Sequence, residues 1–176
     1  MSQKWSDMPE LPEFFDRYIK KVDDLPLNEA FELNTPHDIM ADIEKLKALE
    51  DKIYAPEKWT VKDILQHIID TERIMIYRAL RFGRNDKTVL PGFEEDDFAK
   101  NTNVSNRTID ELMEEWESVR AGSRTLFKSF NTEMLQRTGE TFASNISVLA
   151  LGFVIIGHAK HHYQVIEERY FPMLTA

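Results

Sequence analysis

Five histidines occur in the 176 residues, and three of them have the types and spacing of a metal site. In GHAKHHYQ, His158 and His162 stand four apart, which stacks them on one face of a helix. They continue the row of Leu151 and Ile155 and precede Val165 or Ile166. His67 lies upstream, at the edge of an apolar stripe made by Ile64, Ile68 and Met75, so it too can turn inward. Any one of these histidines alone reads most simply as a hydrogen-bonded core residue. Three from two neighbouring helices read differently. Imidazole is the commonest metal ligand, and a set of three at about 2.0–2.1 Å from zinc leaves positions open for water or substrate. His161 competes with His162, because a spacing of three also shares a face with His158. Orientation favours His162, which leaves His161 to line the mouth of the site or to hydrogen-bond a partner. His37 reads as a solvated residue in the first turn of its helix.

Glu72 falls near the centre of the apolar face between Ile68, Met75 and Ala79, where an unpaired carboxylate is costly. The simpler expectation is a buried ion pair with an arginine such as Arg120 or Arg124. The sharper one is a catalytic role, as general base or as acceptor behind a metal ligand. Arg73, Arg78, Arg81 and Arg84 read as a solvated face, although any that point toward the site could bind an anionic substrate. Trp59 reads as a packing anchor at a helix start.

Four helical segments must position these groups. The first follows Thr35, Pro36 and Asp38 and carries Ile39, Ile43, Leu46 and Ile53 on one stripe, ending near Tyr54. The second begins at Thr60, with Asp63 three residues on, and runs to Gly83. The third starts around Thr108 with Glu111, carries Ile109, Leu112, Trp116, Val119, Ser123, Leu126 and Phe130, and ends near Asn131. The fourth starts near Asn145, is apolar almost all round as far as Ile156, and stops at Pro172. Leu11 to Val22 suggests a short amphipathic helix packed across the others. No strand pattern is evident, so the expectation is all-α: an antiparallel up-and-down four-helix bundle, one domain over residues 1–176. The connection from Gly83 to Arg107 is long for a compact domain unless it is a lid or is ordered by its own contacts.

Composition narrows the partners. The chain has 31 acidic and 22 basic residues, a net charge of −9, which argues against nucleic acid and anionic membranes and for small molecules. There is no cysteine, which excludes protein-thiol nucleophiles, thiolate ligands and iron–sulfur clusters, so any thiol chemistry needs a small-molecule thiol. The opening MSQKWSDMPE lacks a basic start followed by an apolar run, and Ile146 to Gly157 is too short to span a bilayer. The expectation is a cytoplasmic protein with no membrane contact.

KWTVKDILQHIIDTER, RALRFGRND, LPGFEEDDF and GHAKHHYQVIEERY together resemble the DinB-like superfamily, which includes YfiT-type metal-dependent hydrolases and bacillithiol S-transferases. The resemblance covers most of the chain. It implies an up-and-down bundle, often a homodimer, with nickel or zinc held by one histidine of the second helix and an H-x-x-x-H pair of the last, here His67, His158 and His162. It also implies either transfer of a low-molecular-weight thiol of the bacillithiol type to an electrophile, which ranks first, or hydrolysis by water activated on the metal. A non-catalytic, metal-stabilised stress-response module is the contrasting expectation. A fourth ligand from the Glu94 to Asp97 run would favour it, and an open position would favour an enzyme.

Overall fold

The computed structural model describes residues 3–49, 51–142 and 144–175. Nine α-helices are present among them: α1 (Asp16–Ile19), α2 (Leu27–Leu33), α3 (Pro36–Ile39), α4 (Ile43–Leu49), α5 (Val61–Gly83), α6 (Glu95–Lys100), α7 (Ile109–Lys128), α8 (Thr132–Gln136) and α9 (Val148–Arg169). Three of these are long rods. α5 packs against both α7 and α9, while α2 and α3 each touch α7 and α9 and fill the remaining corner of a four-helix bundle.

The capping signals fix the starts of the rods. At α5, the Thr60 hydroxyl accepts the Asp63 amide at 3.1 Å and the Asp63 carboxylate accepts the Thr60 amide at 2.8 Å. Thr108 and Glu111 make the same reciprocal pair at α7. The long connection between these two helices has a geometric purpose. Arg107, just before α7, donates to Gln66 in the second turn of α5, and Phe130, just after α7, packs on Gly83 at the end of α5. The two neighbours therefore run in the same direction, and the 84–108 segment returns the chain along the bundle before α7 begins. Up-and-down alternation resumes with α9, ahead of which Ile146 pairs with Gly139, which lies by Phe82 at the end of α5.

Three boundaries differ from the sequence reading. The expected first helix is two short ones, α3 and α4, interrupted at Met40 to Asp42, and it ends at Leu49 with Ile53 exposed. Asp42 stands at the break and ties it to α9: its carboxylate accepts from the Tyr163 hydroxyl at 2.9 Å and pairs with Lys45 at 3.1 Å. The fourth helix starts at Val148 instead of Asn145. Residues Asn145–Ser147 form strand β2, which pairs antiparallel with β1 (Thr138–Glu140), and Ser147 then caps α9 through the Ala150 amide. The upstream amphipathic segment narrows to α1, one turn that packs on α9.

Two apolar cores result. One gathers Phe31, Phe82, Phe127 and Phe153, and the other Ile64, Leu65, Trp116, Ile166 and Tyr170. Polar side chains that are nonetheless buried lie where the two cores meet along α5, α7 and α9: His67, Glu72, Arg120, Ser123 and His158.

Candidate metal centre

α5 brings His67, and α9 brings His158 and His162. The His67 and His158 Nε2 atoms are 3.1 Å apart and those of His158 and His162 3.0 Å apart. All three ligand atoms lie within 4.8 Å of one another. A neutral imidazole nitrogen carries either a proton or a lone pair in the ring plane, so His158 Nε2 cannot form an ordinary hydrogen bond in both directions at once. A single cation resolves that conflict, because it takes one lone pair from each ring. Two nitrogens about 2.1 Å from a common ion would stand roughly 3.0–3.4 Å apart for angles between square and tetrahedral, a range that holds the His67–His158 and His158–His162 spacings.

Burial keeps these rings neutral. It lowers His67 to about 4, with Asp96 opposing the effect, and lowers His162 to about 3, helped by the fields of His67 and His161. His158 is held well below the ordinary range by burial and by its three histidine neighbours. The cluster is thus a set of lone-pair donors at neutral pH.

Around it, the Trp59 ring lies 4.9 Å from that of His67, and Tyr18 meets His158 edge-on at 5.3 Å. Tyr170 donates to the Trp59 carbonyl, tying the end of α9 to the start of α5. Tyr18 reaches its place because residue 157 is glycine. A Cβ there would sit 2.0 Å from the Tyr18 carbonyl oxygen. Sequence reasoning missed Tyr18, although an aromatic in an amphipathic stretch and a glycine beside a histidine were the available signals. His161 does not enter the cluster and packs its ring against Tyr18 at 5.4 Å. His37 is exposed and pairs with Glu117 at 2.7 Å.

Glu72 is 2% exposed and faces α7. Its Oε1 accepts from Arg120 Nε at 2.8 Å and Ser123 at 2.6 Å, and its Oε2 from Trp116 Nε1 at 2.8 Å and Arg120 Nη2 at 3.0 Å. These four bonds use the lone-pair capacity of the carboxylate, which argues for the ion pair and against a general base. Arg124, the alternative partner, pairs with Glu32 instead. Of the arginines on α5 and at its end, Arg73 pairs with Glu115, Arg81 with Asp86, and Arg84 lies over the Phe130 ring. Arg78 is buried.

The 84–108 connection closes one side of the centre. α6 packs on α5, and Phe93, Phe98 and Ala99 share a small pocket with Asp63, His67 and Asp70. Among the described residues no carboxylate joins the three histidines within ligand reach of a common ion, so the acidic run Glu94 to Asp97 supplies no fourth ligand. No described helix is long and apolar enough to cross a membrane.

The family model of the DinB superfamily matches residues 18–166. No curated protein matches the chain by sequence. Among solved structures, the chain is similar to YfiT from Bacillus subtilis, described as a probable metal-dependent hydrolase with an unusual four-helix bundle topology. The two share 14% identity at a TM-score of 0.66, over 94% of this chain and 91% of that one.

Proposed function

The chain belongs to the DinB superfamily, and from that premise we propose that it is a metal-dependent enzyme acting on a small molecule, with His67, His158 and His162 holding one divalent transition-metal ion such as zinc or nickel. The observation that carries this reading is the donor set: three converging neutral imidazoles and, among the described residues, no carboxylate to close the sphere. An ion bound there supplies Lewis acidity, polarising a carbonyl or lowering the pKa of a coordinated water or thiol. The chain's own residues set the conditions. Burial keeps the three rings deprotonated, Trp59 and Tyr18 fix the orientation of His67 and His158, and Phe93 and Phe98 limit water on the α6 side.

Hydrolysis is the favoured reaction. The described activity of YfiT speaks for it, whereas thiol transfer rests on the resemblance and on compatibility with a cysteine-free chain. Glu72 has no part in proton transfer in this reading, since its acceptors are committed to α7. Protein stripped by chelation and reloaded with zinc or nickel should cleave activated aryl esters or amides, faster as pH rises, and His67→Ala should remove the activity. Metal-dependent consumption of a low-molecular-weight thiol with a haloarene, in place of hydrolysis, would exchange the hydrolase for a transferase. Inactivity of the loaded protein in both assays, with the ion's coordination sphere closed by protein ligands, would overturn the enzyme reading in favour of a metal-stabilised module.

A further inference from the structure

A cavity of about 190 Å3 lies beside His158, with Tyr18, Thr71, Met75, Arg78 and Val154 on its walls. The α5 residues that line it continue the row that starts at His67: Thr71 is four residues on, Met75 four more and Arg78 three more, so one helix face carries the metal centre at one end and a guanidinium at the other. Their Cα atoms span about 16 Å along the axis, and the long arginine side chain leans back toward the helix start, which shortens the gap.

Arg78 is unusual among the arginines of this chain. It is 7% exposed, yet among the described residues it has no carboxylate partner, in contrast to Arg73, Arg81, Arg107, Arg120, Arg124 and Arg137. Its Nη2 donates to the Pro91 carbonyl at 2.9 Å, and its Nη1 meets only the Met75 sulfur at 3.9 Å. Burial without a counter-charge is costly, and it lowers the arginine's pKa. Between Arg78 and His158, the Thr71 hydroxyl is also buried without a hydrogen-bond partner. Glu95, the one acidic residue on the walls, lies in the field of Arg17 and is not within ion-pair distance of Arg78. The other walls are largely apolar and aromatic.

We propose that this cavity is the substrate site and that Arg78 holds a carboxylate at the far end of a small substrate, whose apolar or aromatic body runs past Thr71 toward the histidines. The planar fork of a guanidinium matches a carboxylate in two parallel bonds, which a cavity with no other cation on its walls cannot supply elsewhere. The place of reaction rests on the metal-centre reading. The anion site does not, and the two can fail separately.

Titration calorimetry with phenylacetate and its neutral isostere phenylacetamide, on metal-loaded and chelator-stripped protein, tests this. Phenylacetate should bind about tenfold or more tightly than the amide in both forms, in line with a charge-assisted pair. Arg78→Gln should abolish that preference while leaving the metal content unchanged, and Arg78→Lys should retain part of it. Equal binding of the two probes by the wild-type protein would overturn the proposal without any variant. A preference that appears only with metal and survives Arg78→Gln would put the carboxylate on the ion and also overturn it. A preference retained in a protein that binds no metal would sustain the anion site and sink the metal reading.

Discussion

At the scale of single residues, burial sets the chemistry. The imidazole of His37 is exposed and pairs with Glu117, whereas that of His67 is a neutral donor, because α5 carries it under Trp59 and burial disfavours its charged form. The i, i+4 pair on α9 and the position of His67 on its stripe were legible in the sequence because helix periodicity fixes which way those side chains point. The choice between Arg120 and Arg124 as partner of Glu72 was not, since both lie one turn apart on α7 and only the packed interface separates them. Glu72→Ala should cost about 3–5 kcal/mol in denaturant unfolding, because it strands the Arg120 guanidinium, which is 1% exposed. Glu72→Gln should cost less, and a loss below about 1 kcal/mol for the alanine variant would show that the pair carries little. Arg78 was hidden for a related reason. Four arginines at Arg73, Arg78, Arg81 and Arg84 look like one solvated face, and only the tertiary fold turns one of them into a cavity.

At the scale of elements, strong start signals were readable and tertiary overrides were not. The capping boxes at Thr60 and Thr108 gave α5 and α7 to within a few residues. Asn145–Ser147 reads as helix by its apolar continuation, yet the backbone pairs with Thr138–Glu140, where Gly139 lets β1 close on the Phe82 ring. α1 depends on a similar close approach at Gly157. Gly157→Ala gains helix propensity of up to about 1 kcal/mol in α9 but forces the Tyr18 backbone outward, and overpacking of this kind costs typically about 1–3 kcal/mol. The expected outcome is a less stable protein with faster amide hydrogen exchange across Asp16–Ile19. Unchanged exchange there would mean that α1 is not held by that contact.

At the scale of the whole molecule, the donor cluster sits between two apolar cores, so its protonation is linked to folding. His67 and His162 in the folded chain bind protons only near pH 4 and 3, while in the unfolded chain they do so near 6.5. As pH falls below about 6.5 the unfolded state takes up protons first, so metal-stripped protein should lose stability from there down to about pH 4, by roughly 1.4 kcal/mol per pH unit per histidine. Saturating metal should raise stability at every pH without moving that onset, which the unfolded histidines set, and should extend the loss below pH 4, because the ion holds the lone pairs of the folded chain. Chemical denaturation between pH 7 and 4.5, with and without zinc, measures both slopes, and a flat profile for the stripped protein would contradict the linkage.

The proposed metal site draws one histidine from α5 and two from α9. Elemental analysis of untagged protein after chelation, reloading with zinc or nickel and desalting tests it most directly. One ion per chain is expected in the wild-type protein and in His161→Ala, with loss of that ion in His67→Ala, His158→Ala and His162→Ala. Full occupancy in His162→Ala with loss in His161→Ala, or no retained ion in the wild-type protein, would contradict it.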